Sequence, residues 1–295
     1  MSKTALDLSE QLAKLKIRKL PIANDQEFAR FLYDNNYYRL SGYWRYMQVD
    51  PERGSNSFVA SVSVGGIETV YKFDASLRNI LLEGLAEVEI ALRSRLAYQF
   101  ATRAPDVCGY LNPAQYSDGG GNSADGKPFE FRDELIKAIQ RDLDQSKERF
   151  IKAHRDRSLD IPVWVAVETL SLGTVSKMYR LIADTDLRYA VSKSFKLPDP
   201  NIADSIFHSL STLRNICAHH GRVWNRVPAR AIPVLKGLMT DRDKGIYQRT
   251  PWGWFTMLAF LADGIRNDSS FSSALWQHID AYPELHEGLK HPHNR

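Results

Sequence analysis

Between Asp204 and Asp241 the chain has no acidic residue, and Arg214, Arg222, Arg226, Arg230, Lys236, His208, His219 and His220 all fall in that gap. At its centre runs Arg214-Asn215-Ile216-Cys217-Ala218-His219-His220-Gly221-Arg222-Val223-Trp224-Asn225-Arg226. The whole chain carries a formal charge of only +4. The basic field is therefore local, and a polyanion is its natural partner. A histidine of ordinary pKa exchanges protons near neutral pH and serves as general base or acid. An arginine fork holds a phosphate and stabilises charge developing on it. Asn215 can orient an imidazole or bind a phosphate oxygen. Together these groups suit metal-independent RNA cleavage, with the 2′-hydroxyl as internal nucleophile. The competing reading is a set of helix-capping groups that bind nothing, and an isolated Arg-x4-His pattern does not separate the two.

One helix must position these groups. Ile202, Ile206, Leu210, Leu213 and Cys217 recur at spacings of four and three, a single apolar stripe. Asp199-Pro200-Asn201 starts the helix and Gly221 is expected to stop it. Asn215 and His219 share a face. Arg214 and His219 lie about 140° apart around an ideal helix. They converge only on a groove beside it or on a partner helix docked across it.

The central string closely resembles the signature of the Abi-like (AbiD/AbiF) proteins of bacterial abortive infection, and three further stretches match in the same order. These are Tyr37-Tyr38-Arg39-Leu40-Ser41-Gly42-Tyr43-Trp44, then a central block, then Trp164-Val165-Ala166-Val167-Glu168-x-Leu170-Ser171-Leu172-Gly173-Thr174-Val175-Ser176-x-x-Tyr179. The central block joins Tyr71-Lys72-Phe73-Asp74-x-x-Leu77-Arg78 to Glu87-Val88-Glu89-Ile90-Ala91-Leu92-Arg93-Ser94. Ordered blocks over roughly residues 8–230 are far more specific than one motif. Asn36 departs from the pattern, standing where a glycine is expected before the tyrosine pair. That family is similar to a branch of the HEPN superfamily, whose Arg-x4–6-His motif marks many metal-independent ribonucleases. The resemblance implies Arg214 and His219 as the catalytic pair, with Asn215 beside the arginine. His220 also satisfies the spacing, so either histidine can be the proton carrier. It further implies a homodimer that pairs two motif helices, and a small noncoding RNA as regulator.

Other classes find less support. Cys217, His219 and His220 make a poor metal site, since adjacent helical histidines point about 100° apart and no carboxylate is near in sequence. No cofactor is expected. Two cysteines make no disulfide framework and fit a reducing compartment. No apolar run approaches the roughly 18 residues of a membrane span, and no signal peptide is expected in the Lys-rich start. A cytoplasmic location follows. The alternative of another class is a non-catalytic RNA-binding module that forms a ribonucleoprotein.

The rest of the chain reads as helices, and the expected fold is all-α, a HEPN-like helical bundle with additional N- and C-terminal helices. Residues 1–64 form an N-terminal helical region with a Tyr/Arg-rich segment. Residues 65–230 form the core, with a flexible Gly-rich insertion near 112–127. Residues 231–295 form a C-terminal helical region, with a solvated tail from His286. In the first region, Arg39 and Arg45 sit among tyrosines and a tryptophan, a pattern that either stacks unpaired bases or forms a half-buried core with snorkelling arginines. A long pattern from Ile67 to Phe100, with a bend expected near Gly84, predicts a central helix. Its charges include Arg78 and Arg93, which are expected to face the motif helix and line its cleft. With Arg222, Trp224, Asn225 and Arg226 they complete the expected RNA-binding set.

Overall fold

The longest element is a single 40-residue helix, and more than half of the other described helices pack on it. A computed structural model describes residues 4–103, 106–118, 120–122, 128–240 and 244–293. The helices are α1 (Leu8–Ile17), α2 (Asp25–Asn35), α3 (Tyr37–Trp44), α4 (Val64–Arg103), α5 (Phe131–Gln145), α6 (Arg149–Asp156), α7 (Val163–Ala166), α8 (Leu172–Leu181), α9 (Thr185–Ser194), α10 (Pro200–Ala218), α11 (Pro251–Arg266), α12 (Ser270–Asp280) and α13 (His286–Lys290). Two antiparallel hairpins pair β1 (Gln48–Asp50) with β2 (Ser55–Phe58) and β3 (Gly120–Asn122) with β4 (Pro128–Glu130). The fold is all-α in class. Among the described residues no helix is long and apolar enough to cross a membrane.

Local chemistry explains most boundaries. Asp7 and Glu10 form a capping box on α1. Asn24, Ser171 and Asp184 cap α2, α8 and α9 through their side chains. Asn36 takes φ +62 at the α2–α3 junction and caps α3. Positive φ is where a glycine is usual and an asparagine is tolerated, which accounts for the departure at this position.

Several expectations change. The segment after Pro51 forms a hairpin, in which β2 folds back on β1 and buries Phe58 against Trp44. The insertion near 112–127 is in part ordered: Tyr116 bridges Ile182, and Gly120–Asn122 pairs with Pro128–Glu130. Gly119 and residues 123–127, with Gly126, lie outside the described residues. The charged helices α5 and α6 are parted at Ser146–Glu148. Helix α7 is only four residues long, and Gly173 lies in the first turn of α8. The tail from His286 begins as α13, with Leu289 buried.

The core has two parts. Leu12, Leu15, Phe28, Leu32, Leu40, Trp44 and Phe58 close around the first turn of α4 at Ile67. From Val70 onward α4 enters a larger cluster, shared with α8, α9, α10, α11 and α12. Trp254, Phe255, Leu258 and Phe271 belong to that same cluster. The C-terminal helices thus share the central helix's core.

Gly84 lies inside α4, which runs through it as one helix. It admits the Phe271 ring: a Cβ there would lie 2.5 Å from two ring carbons. Gly84→Ala overpacks this contact, and such changes cost about 1–3 kcal/mol. The urea midpoint of the variant is expected to fall. A midpoint at or above wild type would show that Phe271 moves aside freely.

Candidate functional site

Helix α10 begins on Asp199, whose carboxylate accepts from Asn201 N–H (2.7 Å) and Ile202 N–H (3.2 Å). Its far end is a Schellman closure. Ala218 is the last helical residue and His219 the C-cap. His220 N–H donates to Cys217 O (3.0 Å) and Gly221 N–H to Ile216 O (2.7 Å). The left-handed residue is His220 (φ +55), not the expected glycine at 221. A non-glycine residue in that conformation costs about 1–2 kcal/mol. Arg39 holds the turn shut: its Nη2 donates to His220 O (2.6 Å), its Nε to the Tyr71 hydroxyl (3.0 Å), and its guanidinium lies over the Tyr71 ring.

The next turn is fastened by a carboxylate from α4. Asp74 has no exposure to solvent. Its Oδ1 accepts from Trp224 N–H (2.6 Å) and Val223 N–H (3.1 Å). Its Oδ2 accepts from the Tyr43 hydroxyl (2.7 Å) and pairs with Arg78. Arg78, also buried, donates to Gly221 O (3.4 Å). Burial first, and then Asp74, drive the Tyr43 hydroxyl far above its ordinary pKa and keep it a donor. Beyond the turn, Arg222 lies over the Tyr46 ring and donates to its hydroxyl (3.0 Å), to Trp224 O (2.6 Å) and to Asn225 O (2.8 Å).

A second acid on α4 reaches Arg214. Buried Glu89 accepts from Arg214 Nε through Oε2 (3.2 Å) and pairs with Arg93 through Oε1. Arg93 also donates to Leu170 O (2.7 Å), which ties the pair to the segment before α8. The Arg214 Nη1 donates to Asn215 Oδ1 (3.4 Å). The side chain stays 35% exposed, and its Nη2 has no acceptor among the described residues. Asn215, His219 and His220 are exposed. Neither imidazole has a hydrogen-bond partner among the described residues. Arg214, Asn215 and the two histidines thus occupy one accessible helix end.

The remaining residues of the expected set lie elsewhere or are engaged within the chain. Arg78, Trp224 and Asn225, expected among the RNA contacts, are buried. Trp224 Nε1 donates to Leu285 O (3.0 Å); Asn225 N–H donates to Gly288 O (2.9 Å), and its Oδ1 accepts from His293 N–H (2.9 Å). Arg39, Arg93 and Arg222 act as clamps on backbone carbonyls. Arg226 is half-buried, and burial, then neighbouring Arg222, lower its pKa. Arg45 is half-buried, with its Nε buried and without a hydrogen-bond partner among the described residues. The Tyr/Arg-rich segment is mainly core: Tyr43 and Trp44 are buried, while Tyr38 stands exposed.

Sequence reasoning missed Asp74 and Glu89 as parts of this site, although a signal existed. Asp74 and Arg78 continue the i+4 line from Val70, and Glu89 and Arg93 continue it from Leu85. Charges on the buried line of a helix have to meet partners there. Intrahelical pairing, worth a few tenths of a kcal/mol on a surface, undervalues them. Cys217 lies behind the motif, fully buried, and burial with Asp74 nearby pushes its thiol up to about 12. Among the described residues no three His, Cys, Asp or Glu side chains are grouped to hold a metal ion.

Comparison with known proteins gives a family match. The model of a family described as Abi-like protein covers residues 30–225. No curated protein and no solved structure matches the chain.

Two outcomes follow from this geometry. Asp74→Ala leaves Arg78 buried without its partner, a loss of about 3–5 kcal/mol. Amide exchange at Val223 and Trp224 is expected to accelerate beyond the global change, and unchanged exchange there would mean that other contacts hold the turn. At about pH 8, where a free thiol of pKa near 8.5 is partly ionised, Cys217 in the native chain is expected to resist iodoacetamide and to react once unfolded. Rapid native labelling, read by mass spectrometry, would contradict its burial.

Proposed function

The chain belongs to the Abi-like protein family, and from that premise we propose that it is a HEPN-type, metal-independent endoribonuclease of abortive infection. Family membership supports the abortive-infection role. One observation carries the chemistry: Glu89 holds Arg214 on the last turn of α10, beside exposed Asn215, His219 and His220. RNA lies against this helix end, and the free Nη2 edge of Arg214 takes the scissile phosphate. His219 or His220 accepts the proton of the 2′-hydroxyl as its oxygen attacks phosphorus. The bond from phosphorus to the 5′-oxygen breaks, an imidazolium protonates that oxygen, and a 2′,3′-cyclic phosphate remains. A homodimer that pairs two motif helices would bring two such sets together. A bound small noncoding RNA would hold the activity in check. The pairing of Arg214 with Glu89 favours one second reading, a ribonucleoprotein that binds RNA without cutting it.

The test is cleavage by purified protein in excess chelator, with wild type, Arg214→Ala, His219→Ala and His220→Ala compared. Loss of a general acid or base costs about 10²–10⁴-fold in rate. Arg214→Ala and at least one histidine variant are expected to fall by that much while still binding RNA, with cyclic-phosphate or 3′-phosphate ends from wild type. Cleavage unchanged in all three variants sinks the assignment. Tight binding by all four proteins, with no cleavage after bound RNA is stripped, leaves the ribonucleoprotein.

A further inference from the structure

A groove of about 760 Å³ runs between α11 and α12, and every residue lining it except Lys196 lies beyond the stretch matched by the family model. Aromatic rings form part of its wall. Trp252, Phe260 and Trp276 are half-buried there, with the two indole rings 4.9 Å apart and tilted by 45°. Its charge is negative. Among the described lining residues, Asp263, Asp268 and Asp280 stand against one cation, Lys196. This sign is opposite to that of the arginine-rich end of α10, so the groove repels the polyanion expected there.

The two ends are distinct. Asp263 marks one, where its Oδ1 accepts from Ser272 N–H (3.0 Å) across the helix pair. Asp268 lies at the same end, held by Ser270. The other end carries Trp252 and Trp276, with Asp280 joined to it through His286, which lies 3.8 Å from the carboxylate and beside the Trp252 ring. Trp252 and Asp263 are eleven residues apart on one helix, about 16 Å. That is the reach of about five extended residues. A single small cation would leave most of the groove unfilled. Trp252 also already accepts a cation: the Lys290 ammonium sits 4.6 Å from its ring centroid.

We propose that this groove docks a short cationic peptide segment of a protein partner, one that sets a basic side chain at each acidic end and apolar side chains against the aromatic wall between them. The experiment pans a random dodecapeptide phage library against the full-length protein, with an Asp263→Asn/Asp280→Asn double variant as the counter-target. Asparagine keeps the size and the hydrogen-bond acceptor, and thermal unfolding confirms that the variant is folded. Enriched peptides are expected to carry Arg or Lys on both sides of an apolar residue. The strongest, made synthetically, is expected to bind the double variant and Trp276→Ala about tenfold more weakly, equivalent to about 1.4 kcal/mol. The double variant leaves every group at the end of α10 in place, so any RNA cleavage stays at the wild-type rate. The proposal is overturned if no peptide enriches, if the enriched peptides are acidic, if they bind the double variant equally well, or if an RNA oligonucleotide competes for the groove.

Discussion

The Asp74 carboxylate is removed from water completely, and an unmatched charge in that position would cost several kcal/mol. Its match is assembled from three parts of the chain. Tyr43 comes from α3, Arg78 from the next turn of α4, and the N–H groups of Val223 and Trp224 from the turn after α10. No one of these segments satisfies the charge alone. The carboxylate therefore joins the N-terminal helices, the central helix and the motif turn into one unit. Satisfied this fully, such a network specifies one arrangement rather than many.

Around that unit the backbone is held in costly conformations. His220 and Asn225 both take positive φ. They persist because neighbours over-determine them: Arg39 grips His220 O, Arg222 grips Asn225 O, and Gly288 O takes the Asn225 N–H. Residues held in this way gather where a chain must present side chains in a fixed direction. Here they separate the exposed histidines from the buried Val223 and Trp224 that follow. Arginines that look from their composition like an RNA-binding patch are in large part the clamps of this turn.

The electrostatics of the site follow from the same packing. The stretch without acids is free of them only along the chain. In space it borrows Asp74 and Glu89 from α4, and Glu89 lies 125 positions from Arg214. The field at the end of α10 is thus weaker than a count of its arginines implies, and Arg214 is its most directed part. Because the Nε edge of Arg214 is held by Glu89 while Nη2 stays open, the side chain is oriented without being saturated. The C-terminal helices add to the core under this site, and on their own side they expose a field of the other sign.

What the sequence alone determined is the part encoded within a few turns. The stripe from Ile202 to Cys217, the cap at Asp199, the long pattern of α4 and the all-α class are all local: periodicity and capping act between residues three or four apart. The family was legible too, because its blocks are strings of neighbours. The tertiary structure alone decided which faces meet. Asp74 and Trp224 lie 150 positions apart, and a helical period says that a charge is turned inward without saying what it will find there. Short hairpins such as β1–β2 have too few residues to alternate visibly. Trp224 and Asn225 resemble ligand-binding residues in composition, and only the helices that cover them make them core. The same holds for His220, whose left-handed turn a reader of the sequence assigns to Gly221, because one bond that holds it comes from Arg39 on a distant helix.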